Sequence, residues 1–155
     1  MSYLSQVFSE GLRLGKIAQM SSFYEFYEDT KIGSITVKAY EPMLLHMNGL
    51  HLNANQWQRP TEFLPERFDP THPLAKTPSG QKRHTYAYLP FSGGTRICFG
   101  KNFAELMGKA YVTMINQQFD IRYAEGSPYN ADSKPFFMVG QSHNPPIWLE
   151  LRERK

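Results

Sequence analysis

The sequence predicts a single domain of mixed α and β class, and three observations carry that expectation. Apolar residues recur at helical spacing near the start, at Leu4, Val7, Phe8, Leu12 and Leu14, and again over residues 99–118. Short β-branched or apolar runs with strand period lie at 34–38 and in the tail. Between the helical regions, six prolines (Pro60, Pro65, Pro70, Pro73, Pro78 and Pro90) punctuate residues 48–97, so no long helix runs through there. A length of 155 residues suits one domain of ordinary size.

The first helix is expected over 2–14, with Ser2 or Ser5 as its cap. It starts almost at residue 1 with nothing before it to pack on, which points to a chain that belongs to a longer protein. Residues 34–38 form the next expected element, a strand, because Ser34, Thr36 and Lys38 alternate with Ile35 and Val37. Pro42 cannot donate to a ladder and ends it. Met43-Leu44-Leu45-His46-Met47 reads as a second apolar strand or a short helix. The irregular stretch that follows is long for a compact domain, which tolerates one when it is functional or lies over a larger body. Helical period returns at 99–118, where Phe99, Phe103, Leu106, Met107, Ala110, Met114 and Ile115 form one stripe. Three short strands are expected in the tail, at 119–123, 135–139 and 147–151, two of them in a hairpin.

Composition excludes several functions. Lys and Arg number 17 against 14 Asp and Glu, a net charge of +3, with no basic run beyond the Arg152–Lys155 neighbourhood. That argues against a nucleic-acid surface. No apolar stretch approaches the ~20 residues of a membrane span. Met1-Ser2-Tyr3-Leu4 has neither a charged nor an apolar leader pattern, so no signal peptide is visible and the location of the protein is left open. A single cysteine, Cys98, excludes an intrachain disulfide and any multi-cysteine metal site.

That cysteine sits in Phe91-Ser92-Gly93-Gly94-Thr95-Arg96-Ile97-Cys98-Phe99-Gly100, a glycine-rich loop just before the second helix. A thiol at a helix N-terminus faces free N–H groups and the positive end of the helix dipole, and both favour thiolate. Gly94 and Gly100 let backbone approach a flat ligand and can take positive φ. Arg96 offers a planar fork of donors to an anion. Two plainer readings compete: a lone cysteine as a small buried hydrophobe, and a phosphate loop. The second lacks the Gly-Lys-Ser/Thr ending and the GxGxxG spacing. Glu10 and Arg13 share a helix face, which on its own means a solvated pair worth ~0.3–0.5 kcal/mol. Phe63-Leu64-Pro65-Glu66-Arg67-Phe68 is an arginine with apolar flanks.

Taken in order, Glu10-x-x-Arg13, Pro65-Glu66-Arg67-Phe68 and Phe91-x-x-Gly94-x-Arg96-x-Cys98-x-Gly100 resemble the C-terminal part of the cytochrome P-450 superfamily, the haem-thiolate monooxygenases. The resemblance covers essentially the whole chain. Residues 2–14 look like the family's K helix, 30–47 like its small β region and 51–70 like its meander, with His51, Trp57, Pro60 and Phe63 in the usual pattern. Residues 99–118 look like the L helix, and the tail looks like the closing strands. The chain as a whole, 1–155, then corresponds to the C-terminal haem-binding part of a mainly α fold, without its N-terminal two-thirds.

The resemblance implies haem b (iron protoporphyrin IX) as cofactor, with Cys98 as its axial thiolate ligand. It implies that Arg96 bonds a haem propionate, that Phe91 shields the sulfur, and that Gly94 and Gly100 shape the loop. Glu10, Arg13 and Arg67 would form a buried structural triad. A full enzyme of this kind inserts one oxygen atom from O2 into a lipophilic small molecule, with electrons from a reductase partner. A haem-binding module without turnover, and a remnant without haem, are the alternatives. The sequence departs from the family pattern where Ser21-Ser22-Phe23-Tyr24 replaces a segment that commonly carries a propionate-binding arginine, and at His51-Leu52-Asn53-Ala54 and Met107.

Overall fold

The computed structural model describes residues 2–15, 20–128 and 147–154. Its architecture is mixed α and β. Helix α1 spans Tyr3–Leu14, capped by the Ser2 hydroxyl, which accepts from the Ser5 N–H. The hairpin β1 (Thr30–Ile32) and β2 (Ile35–Val37) follows, with Thr30 opposite Val37. The alternation at 34–38 points to β2 alone, because β1 lies on the far side of Gly33, outside that alternating run. Residues 43–47 form neither the strand nor the short helix expected of them: Met43 pairs with Tyr24 and His46 with Met20 only as isolated bridges, and the short helix α2, Met47–His51, begins at the segment's last residue.

The proline-rich stretch folds as a chain of single 3-10 turns, at Pro65–Phe68, Pro73–Ala75, Thr85–Ala87 and Gly94–Arg96. Proline opens the first two, where its missing N–H costs nothing. Helix α3 spans Lys101–Gln118 and runs directly into β3 (Phe119–Tyr123). Strand β3 pairs antiparallel with β4 (Leu149–Glu153), Phe119 opposite Glu153. The register with β3 therefore carries the last strand two residues beyond the expected 147–151. The strand expected at 135–139 lies outside the described residues.

The core is unusual in its chemistry. Among the described residues, the buried apolar side chains are Val37, Met47, Trp57 and Ala87. The largest fully buried side chains are Trp57, Arg13, Arg67 and Glu10. Accordingly α1 does not bury the apolar face expected of it. It buries Gln6, Ser9, Glu10 and Arg13, one helical stripe of polar residues, against the Pro65–Phe68 turn and its surroundings. Charge pairing, rather than apolar contact, decides which face turns inward here. The apolar stripe of α3 also differs from expectation: none of that helix's residues is buried, and Phe99, Phe103, Leu106 and Met114 are all largely exposed.

Candidate haem-thiolate site

Glu10 is the hub of the buried cluster. Its carboxylate accepts from Arg13 Nε at 2.7 Å and Nη2 at 2.8 Å, from the Leu64 N–H at 2.9 Å and from Arg67 Nε at 3.1 Å. Arg13 spends its remaining donors on main-chain carbonyls: Nη1 to His51 and Pro60 at 2.8 and 2.7 Å, and Nη2 to Glu62 at 3.1 Å. Arg67 donates to the carbonyls of Gln58, Arg59 and Glu62. Arg83 donates to those of Arg67 and Leu74 and lies 4.2 Å from the centroid of the Trp57 ring. An irregular backbone leaves carbonyls without ladder partners, and these three guanidiniums satisfy them. Burial pushes the Arg67 and Arg83 guanidiniums below their ordinary pKa, Arg83 to about 10. Arg83 is not marked by any motif spacing, since its role depends on contacts across the irregular stretch.

The Cys98 loop begins beside this cluster. His51, on α2, is 4% exposed, and its Nε2 accepts the Leu89 N–H at 3.0 Å. Burial, then the charge of Arg13, pushes its imidazole down to about 4. The Leu89 carbonyl accepts the Ser92 N–H at 3.1 Å, closing a turn in which Ser92 takes φ +62°. Gly94 follows at φ +66° in the left-handed region that favours glycine. Gly100 does not share this feature: as the cap residue of α3 it sits at φ −80°. Its requirement is weaker than expected, because a Cβ there would meet the Cys98 Sγ at 3.8 Å, an ordinary contact.

Cys98 itself is exposed, and its N–H donates to the Phe91 carbonyl at 2.9 Å. The Cys98 carbonyl accepts from the Lys101 N–H at 3.2 Å, which ties the loop to the first turn of α3. Phe91, Arg96 and Cys98 share the wall of a cavity of about 380 Å³ with Leu12, Met20 and Met47. Arg96 is exposed and makes no ion pair among the described residues. Asn48 Oδ1, on the same wall, is buried with no hydrogen-bond partner among them. The donor set fits a flat iron cofactor with anionic arms: a soft sulfur ligand, a guanidinium matched to carboxylates, and apolar walls. Among the described residues no three His, Cys, Asp or Glu side chains converge to hold a bare metal ion.

The sequence model of the cytochrome P450 family matches residues 1–149. This chain belongs to the cytochrome P450 family. Cytochrome P450 82A2 of Glycine max is 39% identical over 154 residues, covering 99% of this chain and 28% of the relative. Steroid 17-alpha-hydroxylase/17,20 lyase of Peromyscus leucopus is 31% identical over 140 residues, 88% of this chain and 26% of the relative. The solved structure of retinoic acid bound cyanobacterial CYP120A1 superposes with a TM-score of 0.77 at 27% identity, over 99% of this chain and 34% of that one. The chain thus spans about a quarter of the length of these curated P450 relatives. The family binds haem through a cysteine and acts in monooxygenation. No helix among the described residues is long and apolar enough to cross a membrane.

Proposed function

We propose that these residues form the cysteine side of a haem-thiolate monooxygenase site, with Cys98 as the axial ligand to the iron of haem b. The observation that carries the reading is the shared cavity: an exposed thiol, an unpaired guanidinium and an aromatic side chain meet on one wall in a chain of this family. When bound, the haem supplies oxygen activation, made easier by electron donation from the thiolate. The chain's own residues bind and orient it. Arg96 neutralises a propionate. Phe91 presents an aromatic side chain to the same space and limits water near the sulfur. Gly94, held at positive φ, lets the loop turn tightly before the cysteine. The Phe91 carbonyl fixes the Cys98 amide and so the direction from which the side chain leaves the backbone. Glu10, Arg13 and Arg67 hold the meander against α1 and play a structural role. The whole enzyme would insert one oxygen atom into a lipophilic substrate with electrons from a reductase.

The test is spectroscopic. The 155-residue chain loaded with haem, reduced and exposed to CO, is expected to show the strongly red-shifted Soret band of thiolate ligation, and Cys98→His is expected to abolish it. A band unchanged in the variant sinks the assignment. The alternative reading is a haem-binding module without turnover. It predicts the same band but no Cys98-dependent product when a reductase and NADPH are supplied with lipophilic substrates.

A further inference from the structure

We propose that His51 is a positioning residue for the Cys98 ligand: its Nε2 pins the Leu89 amide and thereby sets the backbone path into the Cys98 loop. The inference rests on the reading of Cys98 as the iron ligand and adds a residue that acts on it from α2.

The argument is a relay of hydrogen bonds. Arg13 Nη1 donates to the His51 carbonyl at 2.8 Å, fixing its main chain to α1. The ring is buried and packs 5.6 Å from that of Tyr88, whose hydroxyl donates to the Ser9 carbonyl, again on α1. From this fixed ring, Nε2 accepts the Leu89 N–H at 3.0 Å across 38 residues of chain. Acceptance at Nε2 places the proton of a neutral imidazole on Nδ1. Leu89 then accepts from Ser92, and Phe91, inside that turn, accepts from Cys98. Three hydrogen bonds, joined through the 89–92 turn, lead from the imidazole to the cysteine amide, and the last two run between main-chain groups. A protonated ring has no acceptor and could not make the first contact. Burial and the Arg13 charge together keep the ring neutral near pH 7.

The experiment compares the 155-residue chain with His51→Phe, which fills the space without an acceptor, and His51→Gln, which restores an acceptor oxygen. The first readout needs no haem. Amide hydrogen exchange is followed by NMR at Leu89 and Cys98, with the Glu10-held amide of Leu64 as internal reference. In His51→Phe, Leu89 and Cys98 are expected to exchange roughly tenfold faster, the protection of about one hydrogen bond, while Leu64 is unchanged. In His51→Gln both are expected to return toward the wild-type rate. Faster exchange at Leu89 alone overturns the proposal, because the relay to Cys98 would be broken. If His51→Phe also loosens Leu64, His51→Gln decides: wild-type protection at Cys98 supports the relay, and its loss with Leu64 intact refutes it. The second readout is the reduced CO complex, in which the red-shifted fraction should fall several-fold in His51→Phe and recover in His51→Gln. A wild-type chain without that band, or a band that survives Cys98→Ser, sinks the ligand reading instead. The exchange rates then decide separately whether His51 sets the loop.

Discussion

Arg67 has side-chain donors on Glu10 and on three carbonyls, and it is fully buried. Removing it takes one of two cations from the buried Glu10 carboxylate and leaves the Gln58 carbonyl without its donor, while the Arg59 and Glu62 carbonyls keep the Glu62 N–H and Arg13, at a cost of about 3–5 kcal/mol. For a chain of this length that lowers Tm by roughly 10 °C. Arg67→Ala is therefore expected to melt far below Arg122→Ala, a change at an exposed residue of β3 that should stay within about 0.5 kcal/mol of wild type. Equal melting of the two variants would show that the cluster contributes nothing. His51 makes a second prediction, set by pH. Its folded pKa, about 4, lies below the ordinary 6.5, so the native state resists a proton that the unfolded chain accepts. The contribution of His51 is complete above pH 6.5, declines as pH falls toward 4, and is constant below. Between pH 7 and pH 5 this amounts to about 2 kcal/mol, at 1.4 kcal/mol per unit. Urea melts of wild type and His51→Gln over that window check it, since only wild type should show the histidine's share of the slope. Among the described residues, Arg13 and Tyr88 lie against the ring and Arg96 and Cys98 share its cavity.

At the scale of elements, α1 and α3 meet where Gly108 faces Phe8. A Cβ on Gly108 would lie 2.3 Å from Phe8 Cε2 and 2.9 Å from Cζ, closer than side chains tolerate. Alanine in a helix gains about 1 kcal/mol over glycine, but overpacking costs about 1–3 kcal/mol. Gly108→Ala is thus expected to destabilise by about 1 kcal/mol net, and Phe8→Leu in the same chain to recover most of it. A stabilised single variant would mean that the ring moves aside freely. The same pair illustrates what the sequence made legible. The ends of α1 and α3 follow from the Ser2 cap and the helical period, and the order of site residues follows from motif spacing. The inward face of α1 does not follow from hydrophobic period, which ranks Leu4 and Phe8 above Glu10 and Arg13; only the resemblance places Glu10 and Arg13 in a buried triad. A carboxylate with four donors reverses that ranking, and three of those donors come from residues 13 and 67. Likewise His51 and Trp57 are visible as parts of a pattern, while the Leu89 amide that His51 holds is visible only once the loop is folded.

The described residues of this chain turn much apolar surface outward. Phe99 is fully exposed, and Phe103 and Leu106 are 68% and 69% exposed along α3. Contiguous apolar patches beyond a few hundred Å² mark surfaces that a partner covers. The 155-residue chain on its own is expected to bind a hydrophobic dye and to associate on size-exclusion chromatography. The double variant Phe103→Glu, Leu106→Glu should reduce both without lowering Tm, and a monomeric, dye-free wild type would contradict this. The charge cluster has a different consequence at this scale. Arg13, Arg67 and Arg83 address carbonyl oxygens of seven positions, His51, Gln58, Arg59, Pro60, Glu62, Arg67 and Leu74, and every residue type carries that oxygen. The guanidiniums therefore recognise the route of the chain rather than the letters written along it. Alanine at Glu62 removes only an exposed pair with Arg59 and leaves the docking oxygen where it was. Deleting one residue between 58 and 62 moves several of them out of reach at once, so this stretch should accept many spellings but only one length.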